Sequence, residues 1–302
     1  MPGPSPRGPR SPSLLDPAFL HKLELLEILF RRNVVGRREG DRPGRQRGGR
    51  TEFADYREYS PGDDLHYLDW NVYGRTGRLF LKEFTKREAV LVCVLVDASA
   101  SMGFGQPRKL DQAKRLAAAF AYLALVGGHE AQVGAFAGQQ VRWSARFAGR
   151  PDVQALARFL EPVEPSGGTD VFAALRAFRE RAAERSLLLL VSDLLDGGAP
   201  QRGLRLLGSR RHDLAVLHLL SPQELHPPAA GPVRLTDCET ALGESLVVDD
   251  AALRHYAAGL NAFCEGWRAF CERHDIRYLQ ASSASPFEDC VLGTLRKGGL
   301  VR

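Results

Sequence analysis

The feature that most constrains this chain is an alternation, starting near residue 88, of short apolar runs with longer stretches of helical periodicity. Such alternation is typical of a mostly parallel β-sheet covered by helices. The apolar runs contain Val and Leu almost without polar interruption, which favours strands buried on both faces. We therefore predict an α/β fold with a doubly wound, mostly parallel sheet. The expected strands are 90–96, 131–136, 187–191, 214–220 and 276–279, and the expected helices are 109–126, 153–160, 171–184, 203–209 and 251–274.

Two other stretches of this region have different patterns. Residues 140–145 alternate after a glycine-containing turn, which predicts a hairpin strand at the edge of the sheet. Pro and Gly are frequent within 222–250, so we expect an irregular insertion there.

The chain before residue 88 falls into segments of different composition. A proline-rich stretch at the N-terminus predicts a flexible leader. Apolar residues at three- and four-residue steps predict an amphipathic helix over 16–32, and a Gly/Arg-rich linker covers 36–50. Mixed aromatic, charged and turn residues over 51–86 predict short strands and turns rather than helices. The expected organisation is a leader at 1–15, a helix, basic linker and β-rich segment at 16–87, and the α/β domain at 88–295.

The composition excludes several protein classes. Of the 302 residues, 44% are hydrophobic and 25% are charged, values that are ordinary for globular proteins and unlike those of disordered chains. No stretch approaches the roughly 18 consecutive apolar residues of a membrane span, and no apolar signal segment is visible. The five cysteines form no C-x-x-C pair, which argues against a disulfide framework and a zinc site. We expect a cytoplasmic protein without a membrane span.

The positive net charge belongs to the N-terminal arm. Residues 1–50 contain eleven Lys or Arg and five Asp or Glu, an excess of six positive charges, although the whole chain has a net charge of only +5. No aromatic residue lies among the arginines of 37–50 to stack on bases. A solvated or partner-binding arm is therefore favoured over nucleic-acid binding.

Polar residues follow two of the predicted strands and open one predicted helix. Asp97-Ala98-Ser99-Ala100-Ser101 follows the first strand, Ser192-Asp193 follows the third, and Gly167-Gly168-Thr169-Asp170 precedes a helix. Ligands of open α/β sheets bind outside the carboxyl ends of the strands. Carboxylate and hydroxyl oxygens are hard ligands of the kind that Mg²⁺ prefers. The alternative interpretation is that the Asp-x-Ser-x-Ser segment only caps the following helix.

The combination resembles the metal-ion-dependent adhesion site of von Willebrand factor type A domains. Asp97, Ser99 and Ser101 match its first element, Thr169 its second and Asp193 its third. The resemblance implies that the hydroxyls bind Mg²⁺ or Mn²⁺ directly, that the aspartates act through waters, and that a carboxylate of a partner completes the coordination. It also implies a sheet of von Willebrand factor A type, preceded here by a helix and a small β-rich segment.

A second resemblance lies upstream of this site. The segment from Glu52 to Asp64, Asp69-Trp70-Asn71, and the segment from Arg75 to Lys82 are similar to the characteristic block of the bacterial domain of unknown function 58 family. In that family the block precedes a von Willebrand-like domain, and the genes often neighbour those of MoxR-type AAA+ ATPases. Longer relatives carry N-terminal transmembrane helices, so this chain resembles the short kind.

The block contains four acids among four basic residues. We favour an ion-pair network that fixes a turn-rich segment, with Trp70 as its apolar anchor. The alternative is a carboxylate metal cluster of a nuclease or phosphatase, which the interleaved bases disfavour. The residues of the block concerned are Glu58, Asp63, Asp64 and Asp69 with Arg57, Arg75, Arg78 and Lys82.

We predict a non-catalytic, metal-dependent protein-binding module in complex assembly or chaperone-like maturation. The expected partners are a MoxR-type AAA+ ATPase and an unknown client protein that offers an acidic residue. The sequence contains no G-x-x-x-x-G-K-[ST], H-E-x-x-H or G-x-S-x-G motif, and we interpret His218 as a hydrogen-bonded core residue. The alternative function is a metal-dependent hydrolase that uses the same acids.

Overall fold

The computed structural model describes residues 14, 17–35, 51–86, 89–182, 186–208, 212–227, 231–239 and 242–296. The predicted leader, apart from Leu14, and the predicted basic linker lie outside the described residues. No helix in the described ranges is long and apolar enough to cross a bilayer. The helices are α1 (Pro17–Val35), α2 (Trp70–Thr76), α3 (Lys109–Val126), α4 (Val153–Leu160), α5 (Val171–Arg181), α6 (Pro200–Gly208), α7 (Pro222–Leu225), α8 (Asp250–Arg273) and α9 (Phe287–Arg296). The strands are β1 (Thr51–Glu58), β2 (Phe80–Lys86), β3 (Leu91–Asp97), β4 (Glu130–Ala137), β5 (Gln140–Trp143), β6 (Ser186–Ser192), β7 (His212–Leu220), β8 (Gly231–Thr236), β9 (Gly243–Val248) and β10 (Arg277–Ser282).

The chain divides into two compact units. One combines the N-terminal part up to Arg32 with everything from Val90 onward, and the other runs from Asn33 to Ala89. Most of α1 therefore belongs to the larger unit, where it packs on α9. Phe19 contacts Phe287 with ring centroids 4.7 Å apart, and Lys22 forms an ion pair of 2.6 Å with Glu288.

The larger unit is built on a six-stranded sheet with the order β10-β7-β6-β3-β4-β5. All neighbours are parallel except β5, which pairs antiparallel with β4 at the edge. Every residue of β3 and β6 is buried, as expected for strands covered on both faces. The predicted α/β fold with a mostly parallel sheet is confirmed, together with the edge strand and the N-terminal helix.

Helices cover both faces of this sheet. On one face α3 lies against β3 and β4, and α4 and α9 pack on α3. On the other face, Cys93 and Leu95 of β3 share a core with Leu175 of α5, Leu204 of α6 and Trp267 of α8. Because both faces are covered, the carboxyl edge is the part of the sheet at which polar side chains can meet.

The prediction of an irregular insertion at 222–250 is wrong. This stretch forms α7 and an antiparallel hairpin of β8 and β9, with pairs from Gly231↔Val248 to Thr236↔Gly243. Most residues of both strands are exposed, so the hairpin lacks the apolar face that marks a half-buried strand in a sequence. The helix α9 is likewise not predicted, although Glu288 and Asp289 in its first turn are favourable at a helix N-terminus.

The smaller unit is an antiparallel hairpin of β1 and β2 with α2 between the strands. The helix contradicts the prediction of strands and turns alone for this segment, because its seven residues are too few to show a helical period. Asp69 caps it by accepting hydrogen bonds from the N–H groups of Asn71 and Val72 at 2.9 and 3.3 Å. Gly77 ends it at a φ of 65°, which glycine adopts without strain.

Three of the four acids of the block, Glu58, Asp63 and Asp69, form ion pairs with its basic residues, but its tryptophan is not an anchor. Trp70 is 64% exposed, and its ring contacts Tyr73 edge-on with centroids 6.2 Å apart. The prediction of a buried Trp70 is therefore wrong, because the ring of this first residue of α2 lies largely at the surface. The ion pairs are Arg57–Asp63 at 2.7 Å, Arg78–Glu58 at 3.1 Å and Lys82–Asp69 at 3.0 Å.

Candidate metal centre

The residues predicted to bind metal lie near the carboxyl edge of the sheet, where the strand order reverses. The strand β3 has β4 on one side and β6, which comes later in the chain, on the other. Such a topological switch point leaves a crevice between neighbouring strand ends. Asp97 ends β3 and Asp193 directly follows β6, so the parallel pairing of these strands brings the two acids to one place.

Asp97 is fully buried, and both of its carboxylate oxygens accept hydrogen bonds. Oδ1 accepts from the N–H of Ser99 at 2.9 Å, which bends the chain at the end of the strand, and Oδ2 accepts from the hydroxyl of Ser192 at 2.6 Å. Burial and the charge of Asp193 raise the pKa of Asp97 to about 7. Among the described residues, no basic side chain forms an ion pair with Asp97. The Asp97 carboxyl group therefore has no cationic partner in that part of the chain.

The two serine hydroxyls lie next to each other. Ser99 is fully buried and Ser101 is 8% exposed, and a short 3₁₀ turn over Ala100–Gly103 brings their side chains together. Their Oγ atoms are 3.0 Å apart. Two ligands at adjacent corners of an octahedron around Mg²⁺, with bonds of about 2.1 Å, also lie about 3 Å apart. The spacing of the hydroxyls is therefore compatible with two adjacent metal ligands.

Thr169 belongs to the loop that precedes α5, and backbone hydrogen bonds hold this loop against the segment after β3. The N–H of Ser166 donates to the carbonyl of Ala98 at 2.8 Å, and the N–H of Ala100 donates to the carbonyl of Gly167 at 2.9 Å. Thr169 is only partly buried. The structure thus brings Asp97, Ser99, Ser101 and Asp193 together and places the Thr169 loop beside them.

Asp193 forms an ion pair that the sequence does not predict. Nζ of Lys109, the first residue of α3, lies 2.8 Å from Oδ2 of Asp193 and also bonds to Glu224 of α7. Lys109 and Asp193 have no exposed side-chain surface. Burial lowers the pKa of the Lys109 amine, but the charges of Asp193 and Glu224 outweigh it, so the pKa is raised and the amine stays protonated. Lys109 is therefore a fixed internal cation at the edge of the site.

Besides Asp193, the sequence contains a signal for only one further member of this ion-pair cluster. Ser221-Pro222-Gln223-Glu224 is a capping box, and Glu224 accepts hydrogen bonds from the N–H and hydroxyl of Ser221 at 2.6 and 2.9 Å. That motif could have placed Glu224 at a helix start just after β7. Nothing local marks Lys109, since 84 residues separate it from Asp193.

His218 of β7 is a buried core residue, as the sequence indicates. Its Nδ1 lies 2.7 Å from the hydroxyl of Tyr278. Burial lowers the pKa of the imidazole to about 4. A neutral histidine in the sheet interior has a structural role beside the site.

Comparison with known proteins places the chain in a family. A family model described as "Protein of unknown function DUF58" matches residues 55–262. The chain belongs to the DUF58 family. The matched range of this DUF58 chain contains all five residues predicted to bind metal, together with Lys109 and Glu224.

The DUF58 chain has mycobacterial relatives. The uncharacterized protein Rv1480 of Mycobacterium tuberculosis is 29% identical over 250 residues, which cover 80% of this chain and 78% of the relative. The uncharacterized protein Mb1516 of Mycobacterium bovis matches with the same identity and coverage. These relatives are bacterial, and their names state no function.

Solved structures similar to this DUF58 chain include the conserved hypothetical protein BatB from Bacteroides thetaiotaomicron. It has a TM-score of 0.45 and 16% identity, and the match covers 69% of this chain and 98% of BatB. A von Willebrand factor type A protein from Catenulispora acidiphila has a TM-score of 0.35 and 15% identity, over 46% of this chain and 34% of that protein.

The donor atoms of the DUF58 site fit a divalent cation in type and charge. Within the described residues no group of three or more His, Cys, Asp or Glu could hold a metal ion, so any site here depends on hydroxyl oxygens. Each carboxylate oxygen of Asp97 and Asp193 accepts a hydrogen bond from the protein. The resemblance to adhesion sites assigns the direct bonds to the hydroxyls, and the buried Asp97 would then compensate the charge of the ion from behind them. Metal binding itself stays a prediction.

Proposed function

We propose that this chain is a non-catalytic protein-binding module whose partner binding depends on Mg²⁺ or Mn²⁺. Ser99, Ser101 and Thr169 would hold the ion, with Asp97 and Asp193 behind them. The observation that carries this proposal is the pair of serine oxygens 3.0 Å apart beside the buried Asp97. That carboxylate has no basic partner in the part of the chain that the structure describes.

The residues of the site would leave a bound ion with residual positive charge. Hydroxyls are neutral ligands, and Asp193 is already paired with Lys109. A divalent cation held in this way offers its charge and an open coordination position to a carboxylate of another protein. The fixed 3₁₀ turn and the buried Asp97 keep the two serine oxygens in place, so that little ordering is required when a partner binds.

Burial of the two acids favours binding over hydrolysis. Asp97 and Asp193 have no exposed surface, and all four of their carboxylate oxygens accept hydrogen bonds. A nucleophile or a general base has to reach the reacting atoms of a substrate. Neither acid is placed to do so.

Calorimetric titration of the full chain with Mn²⁺ tests the site. We expect one Mn²⁺ per wild-type chain and binding weaker by at least about tenfold in Ser99→Ala and in Ser101→Ala. Ser166→Ala is the matched control, because it removes an exposed hydroxyl from the neighbouring loop and should bind as the wild type does. Equal affinities in all four proteins would show that the serines do not bind the metal.

We further propose that the partners are a MoxR-type AAA+ ATPase and a client protein with an exposed acidic residue, acting in cytoplasmic complex assembly or chaperone-like maturation. The family resemblance supports the ATPase, and the donor set of the site supports the acid. Pull-down from the native host in Mg²⁺ and in EDTA, followed by Glu→Gln and Asp→Asn scanning of the captured protein, tests both. If the complex persists undiminished in EDTA and with every amide substitution, the partner binds another surface of this chain.

A further inference from the structure

Glu239, on the loop between β8 and β9, reaches the candidate metal site from within the same chain. Its Oε1 accepts a hydrogen bond from the hydroxyl of Thr169 at 2.7 Å, and its Oε2 accepts from the N–H of Thr169 at 3.3 Å. One carboxylate therefore engages both polar groups of a residue predicted to bind metal. Glu239 lies at the surface, and no basic residue of the described ranges pairs with it.

Hydrogen bonds within the loop and strand pairing beside it hold the Glu239 carboxylate in this position. Oδ1 of Asp237 accepts from the N–H of Glu239 at 2.7 Å, and the N–H of Asp237 donates to the carbonyl of Leu242 at 2.7 Å. Six residue pairs of the hairpin hold the two ends of the loop together. At Gly168, a Cβ atom would lie 3.3 Å from Oε2 of Glu239, so glycine at this position leaves room for the carboxylate.

The contact with Thr169 leaves that hydroxyl able to bind a cation. A hydroxyl has one proton and two lone pairs, and here the proton is donated to Glu239, so the lone pairs remain available. The distance of 2.7 Å between the two oxygens is close to the roughly 3 Å between adjacent ligands of an octahedral Mg²⁺. The Oγ atoms of Ser99 and Ser101, 3.0 Å apart, are likewise spaced as adjacent ligands of an octahedral ion would be.

The charges around the site also suit a divalent ion. Lys109 is engaged by Asp193 and Glu224. Asp97 and Glu239 are then two carboxyl groups for which the described residues provide no cationic partner. Glu239 would compensate part of the charge of a divalent ion, the part that a partner's acid would otherwise compensate.

We propose that Glu239, on the β8–β9 loop, is an internal carboxylate ligand of the metal. It occupies the coordination position that the acid of a partner protein would otherwise fill. This inference rests on the proposed metal-dependent binding. A partner's acid must then displace Glu239, so the loop sets how tightly the site binds partners.

The test measures Mn²⁺ binding by calorimetry and amide hydrogen exchange in the hairpin, using the full chain. Glu239→Gln should bind Mn²⁺ about tenfold more weakly than the wild type. Glu244→Gln, which removes an exposed carboxylate from the same hairpin, should bind as the wild type does. Mn²⁺ should slow exchange in β8 and β9 of the wild type but not in those of Glu239→Gln.

Wild-type affinity and an unprotected hairpin in Glu239→Gln, or an equal loss of affinity in Glu244→Gln, would overturn the ligand role of Glu239. Ser101→Ala keeps this outcome separate from the proposed function. If Ser101→Ala loses Mn²⁺ binding and Glu239→Gln retains it, only the role of Glu239 fails. If all variants bind Mn²⁺ as the wild type does, or if no protein binds Mn²⁺, the proposed metal site is wrong as well.

Discussion

Lys109 is the single residue on which the geometry of the site depends most. Its buried amine connects Asp193, which directly follows β6, with Glu224 of α7, which follows β7, so it joins the segments after two neighbouring strands. A buried charge is tolerated only when it is paired. The three groups therefore have to be considered as one unit when any of them is changed.

Replacing Lys109 by methionine should destabilise the larger unit by about 3–5 kcal/mol, since it leaves Asp193 buried without its cation. Arg115→Met removes an exposed charge from the same helix and should change stability by no more than about 0.5 kcal/mol. Urea denaturation of both variants measures the difference. Similar stabilities for the two would show that the ion pairs do not support the fold.

Asp69 should give the smaller unit a defined response to acid. Hydrogen bonds from Lys82 and Tyr56 lower the pKa of Asp69 to about 2, below its ordinary value of about 4. Because the folded pKa is the lower one, the stabilising contribution of Asp69 is complete above about pH 4 and is lost as the pH falls through about 2. Carboxyl ¹³C NMR titration, assigned with Asp69→Asn, measures this pKa. A midpoint near 4 would contradict the capping and ion-pair role.

Among the elements, α1 shows how a segment outside the predicted α/β domain can belong to its core. Leu23 is fully buried, whereas Leu25, two residues later on the same helix, is 49% exposed. The amphipathic spacing predicts the helix, but not where its apolar side packs. That side packs on α9, which the sequence does not predict.

Leu23→Ala should therefore destabilise the larger unit by about 2–5 kcal/mol. Leu25→Ala is the matched control and should cost about 0.5 kcal/mol or less. Denaturation followed by tryptophan fluorescence in a Trp70→Phe background, which leaves only Trp143 and Trp267 of the larger unit, reports on this unit. If both substitutions had the same small effect, α1 would not be part of the core.

Long elements with a buried face, such as α3, could be predicted, whereas the short α9, which also has a buried face, and the largely exposed hairpin of β8 and β9 could not. The helix α3 occupies the predicted range, and most of its residues are buried. Most residues of β8 and β9 are exposed and the others are only partly buried, so the sequence of this hairpin has no strong apolar period. The loop of this hairpin carries Glu239. Hydrophobic periodicity does not predict such an exposed element, so it does not predict a site residue on it either.

For the whole molecule, the order of elements along the chain is enough to predict where polar residues meet. Parallel strands end at the same edge, so Asp97 and Asp193 could be placed together from sequence alone. The capping box marks the position of Glu224 but not its partner. The contacts of Lys109, Glu224 and Glu239 could not be predicted, because they join residues separated by 84, 115 and 70 positions. Such pairings are set by how helices and loops pack over the edge of the sheet.

At the scale of the whole molecule, we propose that Ser99, Ser101 and Thr169 bind one divalent ion at the switch point between β3 and β6. A crystal structure of the full chain grown with Mn²⁺, with anomalous difference density collected to locate the metal, tests it most directly. We predict one strong peak within bonding distance of the three hydroxyl oxygens, with Asp97 and Asp193 behind it. A crystal in saturating Mn²⁺ with no peak there, or with its only ordered Mn²⁺ elsewhere, would contradict the account.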